Sequence, residues 1–427
     1  MHSKILAAAA LGLLLCGPSL AQTPAAAPDP PAAQATRPPP PPPPAPPLIP
    51  GQPVEYRPPN AVSQTPAFPQ QTRAPYTPSN VHFQVKTVAS GLHDPWGLAF
   101  LPDGRMLVTE RPGQIRVVSG GQLSEPIEGV PTVHIQQISG LQDIVIDPKF
   151  KSNHLVYWTF VEARTTGSAT SVARGRLVDG PKPHFEDVTI IYRQKPDLVT
   201  EHSNYGGRML FDPQGNLLVT LGDRDSMSVR PLIQQMDTGV GKVVRITTDG
   251  KPAPGNPFVG KAGILPEIWA SGFRNPLGIG PRPGTKEIWV VDVGPFGGDE
   301  LDLLKPGGNY GWPVIGYGLE YSRQQIGVGT QKDGLEQPVY YWDPVISPSS
   351  VMFYSGGLFP AWKGDAFVTS LTQRHLVRLV LDGQKVVGED RLLVDLKERL
   401  REVKQGPDGG IYILTDSDPG RLLELVP

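Results

Sequence analysis

Cysteine is almost absent from this chain: Cys16 is the only one in 427 residues. It directly follows the first apolar stretch, within the segment expected to be removed, so a processed chain would carry no disulfide and no thiolate chemistry. Long hydrophobic runs are missing too. The apolar stretch at 5–15 is shorter than the roughly 20 residues a spanning helix needs, which argues against stable membrane insertion. Neither charge sign dominates: 39 Lys and Arg face 41 Asp and Glu, with no sustained basic cluster. That balance argues against a nucleic-acid surface. No long helical periodicity stands out either; strand-like runs broken by Pro-Asp-Gly, Gly-Gly and Asn-Pro turns take its place.

The N-terminus has its own composition. Lys4, the apolar stretch and the small-x-small signal Ser19-Leu20-Ala21 predict a signal peptide over residues 1–21. Leu15 precedes Cys16 where a lipoprotein signal would want a small residue, so the expected destination is periplasmic or secreted. Residues 22–80 are rich in Pro and Ala, with an unbroken proline run at 38–44. Such a segment buries too little apolar surface to offset its ordering entropy, and it predicts a disordered spacer. A ligand for a proline-binding module is the alternative.

Residues 81–427 contain a repeat. A short apolar strand, a turn and a second strand recur at Leu98-Ala99-Phe100, Ile144-Val145-Ile146, Met209-Leu210-Phe211, Leu277-Gly278-Ile279, Gly357-Leu358-Phe359 and Val403-Lys404-Gln405. Six units about 60 residues apart predict an all-β fold, a six-bladed β-propeller of four-stranded blades. A β-sandwich would not explain the recurring unit.

The densest chemistry lies in Glu201-His202-Ser203-Asn204-Tyr205-Gly206-Gly207-Arg208, followed by a hairpin that ends near Asp223. An imidazole facing a carboxylate is the layout of a general base and its orienting partner. The plainer reading is a polar loop entering a hairpin.

From about residue 85 to 425 the chain resembles the soluble pyrroloquinoline quinone (PQQ)-dependent aldose sugar dehydrogenases, also called glucose/sorbosone dehydrogenase-like. The resemblance rests on His93-Asp94-Pro95-Trp96-Gly97-Leu98-Ala99-Phe100, Gly206-Gly207-Arg208, Gly241-Lys242-Val243-Val244-Arg245-Ile246 and Gly272-Phe273-Arg274-Asn275-Pro276. It continues through Gly294-Pro295 with Asp299-Glu300, and Gly308-Asn309-Tyr310-Gly311-Trp312-Pro313. It implies PQQ gripped by Arg274 and Asn275, since a guanidinium fork pairs well with carboxylates. It also implies Ca²⁺ on the carbonyls of Gly294 and Pro295, which are hard oxygen ligands. Asp299-Glu300 resembles a further calcium site. The substrate implied is an aldose sugar, with electrons passed to a periplasmic acceptor.

Each motif has a plainer reading: an Arg closing its own loop, a Gly-Pro turn, a solvated acidic loop, and Tyr310 and Trp312 as wedges between blades. The chain also departs from the pattern. Asn204 stands where the family keeps its base, which leaves His202, two residues earlier, to take that role. Ile138 stands where a quinone-contacting Gln is usual, with Gln137 adjacent. Ser355 replaces a frequent Lys, leaving Arg374 and Arg378 as cationic candidates. Two other classes remain open: a non-catalytic propeller binding a sugar or a protein partner, and a metal-dependent lactonase. The lactonase needs converging Glu, Asp and Asn side chains that this sequence does not assemble.

Overall fold

The computed structural model describes residues 46–180, 182–199 and 204–427. The signal-peptide segment and residues 22–45 of the expected spacer lie outside the described residues, as does His202.

Six four-stranded antiparallel sheets form the body. Their innermost strands are Pro95–Phe100, Leu141–Ile146, Gly206–Phe211, Pro276–Pro281, Pro348–Phe353 and Leu400–Gln405. Each packs beside the next, and the sixth beside the first, closing a ring. The ring is latched by Gln84–Leu92, which pairs with Gly420–Val426 and so completes the last blade with the first strand of the domain. The predicted all-β six-bladed propeller is the fold found.

Second strands such as Leu217–Leu221 and Ile411–Thr415 are buried along their whole length rather than on alternate residues. The cause is burial on both sheet faces. Apolar clusters fill the wedge between neighbouring blades, as where Trp289 and Leu301 of the fourth meet Phe353 and Val368 of the fifth. A recurring threonine adds a polar seam. Thr109, Thr159 and Thr220 each accept a backbone N–H from the inner strand of their own blade. Each then donates to a carbonyl of the next blade, on Gln142, Gly207 and Pro276 respectively.

Two expectations need correction. In the fifth blade the inner strand is Pro348–Phe353, and residues 357–359 lie in the loop before the short 3₁₀ turn Pro360–Trp362. The apolar Leu358 and Phe359 imitated a strand, but Phe359 packs on Trp362 in that turn. The second correction concerns the spacer: residues 47–80 pack against the propeller. Val54, Ala61, Gln71 and Ala74 are buried. Tyr341 N–H donates to Gln71 O, and Tyr76 bridges Glu389, so this strap covers the outer edges of the fourth and fifth blades. Exposed sheet edges are usually covered, and here specific backbone hydrogen bonds offset the poor packing capacity that composition suggested.

Candidate functional site

All inner strands begin at one end of the ring, called here the upper end. The pairings Gly206↔Leu221 and Pro276↔Asp292 bring the ends of the second strands to the same level. The loops there hold Asn204, Asp223, Arg274, Asn275, Gln137, Arg374, Gly294 and Pro295. Strand spacing alone dictates this convergence.

The third and fourth blades share one hydrogen-bonded cluster. Asn204 Nδ2 donates to Asp223 Oδ1 at 2.9 Å, and Trp312 Nε1 to Asp223 Oδ2 at 2.9 Å. Burial raises the Asp223 carboxyl above its usual range, against the pull of Arg274 and these donors. Arg274 Nη1 donates to Val293 O at 2.9 Å and Gly294 O at 3.3 Å, and Nη2 to Asp225 at 3.0 Å and the Tyr321 hydroxyl at 3.3 Å. Asn275 Oδ1 accepts Gly206 N–H at 3.2 Å. Asp292 anchors the pair from below by accepting the N–H groups of both Arg274 and Asn275. Burial raises its carboxyl to about 7.

Several assignments shift accordingly. Arg274 is buried, with its fork turned onto the neighbouring loops that hold Val293, Gly294, Asp225 and Tyr321; only Nε lacks a partner among the described residues. Asn204, Trp312 and the Asp225 N–H occupy the Asp223 carboxylate that His202 was expected to use. Tyr310 and Trp312 are buried wedges: Tyr310 stacks on Phe273 with centroids 4.5 Å apart. Gln137 and Arg374 are exposed at positive φ on separate loops. Gln137 lends its carbonyl to Arg111, and Arg374 reaches Lys397 O at 3.4 Å. Arg378 is not a rim cation, because it pairs with Asp365 at 2.6 Å inside its blade. Ser355 follows an inner strand and therefore lies at the opposite end.

Asp299 is likewise spent on structure, accepting the N–H groups of Gly294, Ile346 and Ser347. Its strand neighbours Glu300 and Asp302 are different. Both face the same side as Asp292, and neither oxygen of Asp302 has a partner among the described residues. Between Gly294, Pro295, Asp292, Glu300 and Trp312 lies a cavity of about 10 Å³, the size of one water or ion. Among the described residues, no three His, Cys, Asp or Glu side chains form a metal-holding group. A cation here would need backbone carbonyls.

Sequence reasoning missed Arg399 and Arg401, at the upper end of the sixth blade. They share Asp416, at 2.6 Å each, while the Arg399 side chain stays 42 % exposed. Their alternation at a strand start was the available signal. It also gave His93 no partner, whereas its Nδ1 lies 2.9 Å from Asp418 on the same rim.

A sequence model of the family described as "Glucose / Sorbosone dehydrogenase" matches residues 92–424. The Escherichia coli protein named aldose sugar dehydrogenase YliI is 38 % identical over 348 residues, covering 80 % of this chain and 92 % of that protein. A crystal structure titled glucose dehydrogenase superposes with a TM-score of 0.77 at 43 % identity, over 80 % of this chain and 99 % of the other. The PQQ-bound aldose sugar dehydrogenase of Streptomyces coelicolor gives 0.67 at 28 % identity, over 81 % and 98 %. Fold, motifs and these matches agree, and the chain belongs to the glucose/sorbosone dehydrogenase family.

Proposed function

We propose that the chain oxidises an aldose sugar at C1 to a lactone, using PQQ and Ca²⁺ at the upper end and passing electrons to a periplasmic acceptor. The observation that carries this reading is the convergence there of Asn204, Asp223, Arg274, Asn275 and Gly294 in one hydrogen-bonded cluster. The donor chemistry suits both groups. Arg399 and Arg374 offer exposed cations to an anionic quinone. The small cavity below the carbonyls of Gly294 and Pro295, with Glu300 on its wall, suits one hard cation. When bound, the quinone supplies the two-electron oxidant and the calcium ion a Lewis acid beside it.

The chain's own residues supply binding and the proton step. Arg274, braced on Val293 and Gly294, fixes the turn that presents those carbonyls. Asn204 has an amide in contact with Asp223 and cannot remove a proton from a sugar hydroxyl, so His202 takes the C1 hydroxyl proton. Trp312 and Asn204 hold Asp223 as the wall of the substrate position. Reconstitution of purified protein with PQQ and Ca²⁺ tests the reading: a quinone absorption band and dye-linked oxidation of aldoses are expected. A protein that takes up neither group refutes it.

The Asn204–Asp223 bond favours a second reading, a propeller that binds sugar or a protein partner without turnover. On that reading the wild type is inert and Asn204→His creates activity.

A further inference from the structure

We propose that residues 47–80 form a positioning strap that holds the 294–298 turn in its working shape. The turn's importance rests on the function proposed above; the strap's action on it rests on geometry alone. The strap precedes the family match, which begins at residue 92. The E. coli relative and the glucose dehydrogenase structure are matched over 92 % and 99 % of their own lengths, while a fifth of this chain stays outside. The strap is thus an addition to the matched propeller.

It grips the turn from two sides. On one side Gln64 Nε2 donates to Gly318 O at 2.9 Å, and Gly318 N–H donates to Gln64 Oε1 at 2.7 Å. Segment 317–319 lies directly on the turn, with Phe296 and Leu319 exchanging backbone hydrogen bonds at 3.1 and 2.9 Å. The fit leaves no room: a Cβ on Gly318 would stand 2.3 Å from Gly297 O, and one on Gly298 1.9 Å from Tyr317 O. On the other side Asp343 accepts the N–H groups of Asn60 and Ala61 at 2.9 and 3.0 Å. A Cβ on Gly297 would stand 2.5 Å from Asp343 Oδ1. Gln71 completes the grip by accepting the Tyr317 hydroxyl at 2.9 Å. Between these jaws sit the Gly294 carbonyl, which accepts from Arg274, and the cation-sized cavity.

A second set of anchors lies elsewhere, on the fifth blade. Ser79 accepts Trp362 Nε1 at 2.7 Å and donates its N–H to Asp390. The two halves of the strap are therefore separable by mutation. Gln64→Ala is expected to speed hydrogen exchange across 294–298 about ten- to hundredfold, the scale of its two lost hydrogen bonds. It should weaken Ca²⁺ and quinone binding in parallel. Ser79→Ala should lower the melting temperature without changing exchange in the turn. Should Gln64→Ala be insoluble, Gln64→Glu keeps the acceptor for Gly318 N–H, removes the donor, and gives the same comparison. Unchanged exchange at 294–298 in the Gln64 variant, or an equal rise in both variants, overturns the proposal. A wild type that binds neither quinone nor Ca²⁺ sinks the function proposed above, while the exchange comparison still decides the strap.

Discussion

Arg208 and Arg274 come from adjacent blades, both belong to motifs quoted from the sequence, and both are 3 % exposed. Their surroundings differ. Arg208 lies on the propeller axis and touches every blade. Its donors reach Trp96 O, Asp143, Leu277 O, Ser349 O, Arg401 O and Glu402, and its guanidinium stacks 4.0 Å from the Trp96 ring. Arg274 instead bonds only to loops, at residues 293–294, Asp225 and Tyr321, and its Nε has no partner among the described residues. A fully bonded buried cation spanning all blades is part of the scaffold. A buried cation bonded only to loops can transmit strain between those loops and a ligand. Below Arg208 the axis opens into a cavity of about 290 Å³ that mixes Lys404 with Phe211, Met352 and Phe353. None of the predicted site residues lines it.

The strongest way to break that comparison is Arg208→Met. It leaves the buried Asp143 and Glu402 with only the more distant Lys404, at 3.8 and 3.9 Å, and removing one partner of a buried pair costs about 3–5 kcal/mol. A urea midpoint close to wild type would show that the ring does not depend on its axial arginine. Next in size is His202→Ala, expected to lower quinone-dependent sugar oxidation by about 10²–10⁴ with quinone binding intact. Wild-type turnover in this variant would remove His202 from the proton step.

Arg274→Lys sharpens the other arm. Lysine keeps the charge but cannot reach Val293 O, Gly294 O and Asp225 together, so quinone affinity in a titration of apo-protein should fall by about 1–3 kcal/mol. Unchanged affinity would make Arg274 a second scaffold arginine.

The smallest expected effect is on the strap's acid sensitivity. Burial pushes the Glu55 carboxyl up, but the hydrogen bond from Arg57 and the charge of Arg391 outweigh it and hold it at about 2, below the ordinary 4.5. A depressed carboxyl stabilises the fold above its unfolded value and loses that contribution as pH falls through its folded one. The melting-temperature advantage of the wild type over Glu55→Gln should therefore hold above pH 4.5 and shrink between 4.5 and about 2. A difference that widens on acidification would contradict the pairing.

Much was legible in the residues themselves. Apolar strands followed by short turns, most of them holding Pro or Gly, located five of the six blades, because a strand-turn-strand unit is a local pattern. It failed in the fifth, where Leu358 and Phe359 pack a 3₁₀ turn. The chemistry of the strap was misread for a related reason: composition reports how much surface a segment can bury, and not whether an open sheet edge is waiting for it.

Sequence alone determined the all-β repeat, the lack of disulfides and the family motifs, since these depend on residue type and spacing along the chain. Only the tertiary structure decided that Asn204 holds Asp223, that Asp299 is spent on backbone donors, and that Arg399 and Arg401 crown the sixth blade. Those contacts join residues from separate loops, and their geometry exists only once the ring has closed.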